Sequence, residues 1–183
     1  MSTYLFDTTN ATAVNLGNQA APQSLTAIFN LVCPDTLRWW QRNHDDLITA
    51  VDAGQLQVHL KFWNKAKESL MNGNVAHGFI DYQHPQAALA FIEAVFEHQD
   101  DLRELAVDDV ADYLQRTYRV TPYAQATAVQ AAVDSDVIVN GVLTVPTLIL
   151  DDQKYTGDSL PSLQPRLVWK SQKGTRKIAS PFI

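Results

Sequence analysis

The sequence predicts an α/β protein in which a mixed β-sheet is flanked by helices and interrupted by a run of further helices. An apolar run at 25–31 and an alternating run at 56–62 enclose a helical pattern at 37–51. The order strand, helix, strand implies a right-handed parallel crossover. A second apolar run at 147–150, followed by a turn and a short strand at 153–156, is typical of a closing hairpin.

The first half of the chain predicts these elements one by one. Residues 11–16 form a short strand, and the run at 25–31 is apolar enough for a strand buried on both faces. Pro34 suits the first position of the following helix, and Gly54 marks its end. In the run at 56–62 the apolar residues alternate with polar ones, which predicts a strand with one apolar and one polar face.

The second half predicts a helical insertion within the sheet. Its three helical patterns begin at Pro85, at Leu105 and at Thr121-Pro122. We therefore assign residues 1–66 plus 137–183 to the domain that contains the sheet, and residues 67–136 to the insertion. A final helix is expected after Ser159.

Composition excludes several classes of protein. The 183 residues are 46% hydrophobic, carry a net charge of −6 and have an isoelectric point near 5.2, which argues against nucleic acid or an anionic membrane as partner. No segment approaches the roughly 20 apolar residues of a membrane span, and the N-terminus lacks the pattern of a secretory signal. With a single cysteine, these features predict a cytoplasmic protein without a disulfide framework. His44 is expected to be a core or boundary residue, and the histidines show no spacing for a metal site.

The single cysteine is the strongest candidate for chemistry. Cys33 follows a predicted strand and directly precedes Pro34, so it falls at or next to the helix N-cap. Its sulfur could accept hydrogen bonds from the free N–H groups of Asp35 and Thr36, and the helix dipole favours a thiolate there. The position predicts a reactive thiol. The alternative is a small buried side chain that never reacts.

The second motif is Val145-Pro146, at the entrance to a predicted strand because proline cannot donate to a sheet ladder. With Cys33-Pro34 in this element order, the chain resembles the thioredoxin superfamily, which implies a cis-proline facing the cysteine. The helical insertion, together with 141–147 and 154–157, is similar to the DsbA-like branch. The resemblance implies a thioredoxin fold with a central mixed sheet and an inserted all-helical domain.

The chain departs from that family at its usual Cys-x-x-Cys motif, which is here Cys33-Pro34-Asp35-Thr36. A dithiol centre resolves a mixed disulfide with its second sulfur, and Thr36 has none. The resemblance therefore implies a thiol–disulfide oxidoreductase acting through one cysteine, with Cys33, Pro34 and Thr36 as its catalytic residues. The Thr36 hydroxyl can donate to a thiolate. The negative charge of Asp35 disfavours a thiolate at Cys33, and the positive charges of Arg38 and Arg42 can offset this effect.

The implied partners are protein or peptide thiols and disulfides, with a low-molecular-weight thiol such as glutathione to release Cys33, and no cofactor is expected. The predicted substrate-binding residues are Asp35, Trp39, Val145 and Pro146, with Trp39 expected as an exposed contact because Trp40 fits the apolar stripe of the helix. Two other functions stay open. One is a non-catalytic binding or adaptor protein of the same fold, holding an extended peptide beside Pro146. The other is a glutathione-dependent transferase or isomerase.

Overall fold

The computed structural model describes residues 3–164, whose centre is a five-stranded mixed sheet. The strand order is β1-β3-β2-β4-β5. Strands β2 and β3 are parallel, and the other neighbours are antiparallel. The strands are β1 (Val14–Leu16), β2 (Gln23–Phe29), β3 (Leu56–Phe62), β4 (Thr147–Leu150) and β5 (Gln153–Thr156).

Helices surround the sheet and fill the connection between β3 and β4. They are α1 (Pro34–Asp52), α2 (Met71–His77), α3 (Pro85–Glu97), α4 (Gln99–Arg103), α5 (Val107–Tyr118) and α6 (Ala126–Val139), with 3-10 turns at Glu68–Leu70 and Gly157–Ser159. Helix α1 connects the parallel strands β2 and β3, as predicted. Among the described residues, no helix is long and apolar enough to cross a membrane.

The predicted fold class is confirmed, but the helical segment differs in detail. Five helices, not three, lie between β3 and β4, because α2, with seven residues, and α4, with five, are too short for a repeated apolar spacing to be recognised. Helix α6 begins at Ala126 rather than near Thr121, since the Tyr123 N–H donates to the Gly78 carbonyl at 2.8 Å instead of entering a helix. Helix α6 also runs across the proposed boundary between 136 and 137. The final helix predicted after Ser159 lies outside the described residues, which end at position 164.

Strand β3 corrects the expectation of one polar face. His59 is 6% exposed and Lys61 is fully buried. The N-terminal segment and α6 cover this face: Lys61 Nζ donates to the Asp7 and Thr12 carbonyls at 2.6 and 3.1 Å and pairs with Asp136 at 2.9 Å. Strand β3 is thus buried on both faces, and a charged network replaces solvent on one of them.

Candidate active site

Cys33 is the N-cap residue of α1 and is 5% exposed. Its side chain makes no capping hydrogen bond, so the prediction that the sulfur accepts from the Asp35 and Thr36 N–H groups is wrong for this structure. Instead, the thiol donates to the Val145 carbonyl oxygen, with Sγ and O 3.5 Å apart. A neutral thiol is a weak acceptor, and a carbonyl oxygen is the better partner for its S–H.

The loop before β4 supplies the other wall of this site. The Val145–Pro146 peptide bond is cis, and both residues are buried. The fold therefore brings Cys33 and Val145 into contact across 112 positions of the chain. Pro34, by contrast, is exposed at the first position of α1.

Two neighbours of Cys33 on the first turn of α1 have different environments. Thr36 is fully buried, and its Oγ1 finds no hydrogen-bond partner among residues 3–164. The predicted hydrogen bond from the Thr36 hydroxyl to the Cys33 sulfur is therefore absent while the thiol donates to Val145. Asp35 is exposed and pairs with Arg38 at 2.9 Å, so the predicted offset by Arg38 is present.

Trp39 was expected as an exposed contact, and this expectation is wrong. It is 4% exposed, and its indole N–H donates to the Pro161 carbonyl at 2.9 Å. The adjacent Trp40 is equally buried, with its ring centroid 5.4 Å from that of Phe96. Helix α1 is covered on two sides, by α3 and by the segment after β5, so both tryptophans are enclosed.

A cavity of about 790 Å³ lies beside the Val145–Pro146 loop. Asp35 and Trp39 also line it, so the four predicted substrate-binding residues share one cavity wall. Sequence reasoning did not assign two further lining residues, Arg42 and Asp158, to substrate binding.

Two buried polar residues hold the segment that leads into Cys33. Gln99 Nε2 donates to the carbonyl oxygens of Leu31 at 2.9 Å and of Cys33 at 3.2 Å. His77 Nε2 accepts from the Leu31 N–H at 3.2 Å, so its Nδ1–H donates to Asn64 at 2.7 Å. Burial lowers the pKa of His77 to about 3, which keeps the ring neutral. No local sequence signal marks these residues, because their partners lie far away in the chain.

Asn30 also stabilises the segment that leads into Cys33, and its side chain lies close to Gly73. The Asn30 Oδ1 accepts from the Val32 N–H at 3.0 Å. A Cβ at Gly73 would overlap Asn30 Oδ1 and lie 2.9 Å from Val32 Cγ2. We therefore expect Gly73→Ala to destabilise the protein by about 1–3 kcal/mol in urea unfolding, although alanine favours helices.

The matched control for Gly73→Ala is a double-mutant cycle with Asn30→Ala. Because the second substitution removes the overlapping oxygen, the double variant should be more stable than the sum of the two single effects predicts. Strict additivity, or a stabilising effect of Gly73→Ala alone, would contradict the close approach.

His44 connects α1 to α3 and is partly exposed, which agrees with the boundary position among the two that were predicted, core or boundary. Its Nε2 lies 2.7 Å from Glu93 Oε1 and its Nδ1 3.1 Å from Asp45 Oδ1. Burial lowers the pKa of His44, but the hydrogen bonds and charges of Glu93 and Asp45 outweigh it, so the net pKa is raised above 6.5.

The raised pKa of His44 predicts how stability depends on pH. The stabilisation from the charged pair should be complete below pH 6.5 and disappear as pH rises through the higher folded-state pKa. Urea unfolding of wild type and Glu93→Gln should therefore differ at pH 5.5 and converge by pH 9. Glu104→Gln, an exposed substitution with the same charge change, is the control. A difference that stays constant with pH would contradict the prediction.

This architecture defines a class: an α/β protein whose N-cap cysteine contacts the residue before a cis-proline, with a helical segment between β3 and β4. A thioredoxin family profile matches residues 9–164. The chain belongs to the thioredoxin family, and its fold is of the DsbA-like kind. Among curated proteins, no sequence matches this chain.

Solved structures agree with that assignment. A conserved protein of unknown function from Enterococcus faecalis V583 is 26% identical, with a TM-score of 0.80 over 89% of this chain and 91% of that one. BdbD from Bacillus subtilis, in its oxidised form, is 12% identical, with a TM-score of 0.61 over 95% and 98%. The catalytic domain of Proteus mirabilis ScsC is 17% identical, with a TM-score of 0.61 over 90% and 91%. The last two show similarity of fold.

Proposed function

We propose that this protein is a thiol–disulfide oxidoreductase that works through Cys33 alone. The observation that carries the proposal is the contact between the Cys33 thiol and the Val145 carbonyl, at the N-terminus of α1. A thiolate formed there faces the positive end of the helix dipole. Membership of the thioredoxin family supports the same chemistry.

The proposed cycle has two exchange steps that conserve atoms and electrons. The Cys33 thiolate attacks one sulfur of a substrate disulfide; a new Cys33–substrate S–S bond forms, and the other substrate sulfur leaves as a thiolate and takes a proton from water. A low-molecular-weight thiolate such as glutathione then attacks the substrate sulfur of this mixed disulfide. Cys33 leaves as a thiolate, and the substrate carries the new disulfide. A cycle that needs an abundant external thiol suits a reducing, cytoplasmic compartment.

Thr36 has a defined part in this proposal. No described residue hydrogen-bonds its buried Oγ1 while Cys33 donates to Val145, and an unpaired buried hydroxyl costs about 1–3 kcal/mol. When Cys33 loses its proton, the sulfur can no longer donate to Val145 and becomes an acceptor for the Thr36 hydroxyl, one helical turn away. Thr36 would thus stabilise the thiolate at little extra cost, because its hydroxyl is already desolvated.

Mass spectrometry of the folded protein tests the proposal. Native wild type treated with glutathione disulfide should gain one glutathionyl group on Cys33 and lose it again with excess free thiol. Cys33→Ser, the isosteric control, should gain none. Modification that occurs only after unfolding in urea would show that Cys33 is an unreactive buried side chain, and would leave the adaptor function as the better assignment.

The low exposure of Cys33, 5%, is the observation that favours a second candidate, a non-catalytic binding protein. In that case an extended peptide lies along the cavity beside Pro146 and makes no covalent bond. Cys33→Ser would then bind the same peptides as wild type, whereas disulfide capture requires the sulfur.

A further inference from the structure

The cavity beside the Val145–Pro146 loop suits a small ligand. Its volume of about 790 Å³ falls within the range of about 300–1,000 Å³ that is usual for small-molecule sites. Its wall includes Val145, whose carbonyl oxygen contacts Cys33 Sγ. A ligand in the cavity can therefore contact Val145, the residue whose carbonyl holds the Cys33 thiol, although Cys33 itself does not line the cavity.

Two of the charged side chains in this cavity form no ion pair within the described part of the chain. Asp35 and Arg38 also line it, but they neutralise each other at 2.9 Å. Arg42, one turn further along α1, and Asp158, in the turn after β5, are both exposed, and neither forms an ion pair with a residue between 3 and 164. The cavity thus offers one guanidinium and one carboxylate to a ligand.

Each of these groups selects a complementary charge. A guanidinium binds a carboxylate through paired, charge-assisted hydrogen bonds, and a carboxylate accepts charge-assisted hydrogen bonds from an ammonium group. Amino-acid-derived thiols and disulfides, such as glutathione and its disulfide, carry both groups on one small molecule together with the sulfur.

We infer that the cavity binds a low-molecular-weight thiol or disulfide of this zwitterionic, amino-acid-derived class, with Arg42 holding its carboxylate and Asp158 its ammonium group. The inference rests on the proposed function and names the external thiol that the single-cysteine cycle needs. Binding places the ligand sulfur beside Cys33, and exchange then follows the two balanced steps given above. Arg42 and Asp158 act as specificity residues and take no part in bond making.

The test compares rates of Cys33 modification by four disulfides that differ in charge. Hydroxyethyl disulfide is neutral, dithiodipropionate carries carboxylates, cystamine carries ammonium groups, and glutathione disulfide carries both. Each rate is divided by the rate of hydroxyethyl disulfide with the same variant. Differences between variants in the folded fraction or in the intrinsic reactivity of Cys33 then cancel. The variants are Arg42→Gln and Asp158→Asn, with Arg116→Gln and Asp134→Asn as remote controls of equal charge change.

Arg42→Gln should lower the relative rate of dithiodipropionate and of glutathione disulfide by about tenfold, as expected for a lost hydrogen bond to a charged group. Asp158→Asn should lower those of cystamine and glutathione disulfide by a similar factor. The control variants should match wild type. Arg42→Lys, which keeps the charge, should recover part of the loss.

The outcomes separate this inference from the function on which it rests. If wild type is modified at Cys33 but the Arg42 and Asp158 variants show the same relative rates as the controls, the inference is overturned and the oxidoreductase proposal stands. If no disulfide modifies native Cys33, both are overturned.

Discussion

Asp136→Asn should destabilise the folded protein by about 3–5 kcal/mol, measured by urea unfolding at pH 7, because it leaves a fully buried lysine without its counterion. Asp136 also accepts from the Asp7 N–H at 3.2 Å, so the carboxylate ties the N-terminal segment to α6. Burial already lowers the pKa of Lys61, and Asp136 opposes that effect.

The pH dependence of the Asp136→Asn variant follows from the same contacts. Without Asp136 the folded-state pKa of Lys61 should fall further below 10.5, while the unfolded value stays unchanged. Between these two values the unfolded chain binds more protons, so the variant should gain stability relative to wild type as pH rises from 7 to 9.5.

Two further variants separate the buried charge from other effects. Asp134→Asn changes an exposed carboxylate on the same helix and should alter stability little. Lys61→Met in the Asp136→Asn background removes the uncompensated charge and should recover part of the loss. Equal effects of Asp134→Asn and Asp136→Asn would contradict a structural role for the pair.

Thr36→Cys should convert the single-thiol centre into a dithiol centre. Residues three positions apart on a helical turn bring their side chains within disulfide range, and the buried Thr36 hydroxyl gives up no hydrogen bond in the described structure. The introduced thiol should resolve the mixed disulfide at Cys33 internally. After treatment with glutathione disulfide, the variant should carry an intramolecular disulfide and no glutathionyl group, and it should gain insulin-reductase activity.

Ser69→Cys is the control for Thr36→Cys, because it adds an exposed thiol in the turn before α2, outside the first turn of α1. This control should keep the glutathionyl group on Cys33 and show no reductase gain. A folded Thr36→Cys variant that also keeps the adduct would show that the Cys33 sulfur does not turn towards position 36.

The sequence predicted the parts of the site that depend on neighbours along the chain. Pro34 begins α1 and places Cys33 at its N-cap, as local dihedral preferences require. The period of two at 56–62 correctly predicted β3. The exposure of Trp39 was predicted wrongly, because which faces of α1 are covered depends on α3 and on the segment around Pro161, far away in the chain.

The sequence by itself determined the α/β order, the start of α1 and a lone thiol at that start, because these follow from short-range backbone geometry. Only the tertiary structure decided that Cys33 donates to Val145, that the buried Thr36 hydroxyl has no partner among residues 3–164, and that Lys61 is paired with Asp136 inside the protein. Burial and pairing depend on which distant segments pack together. The sequence does not show whether a polar residue will hydrogen-bond to water or to a partner far away in the chain.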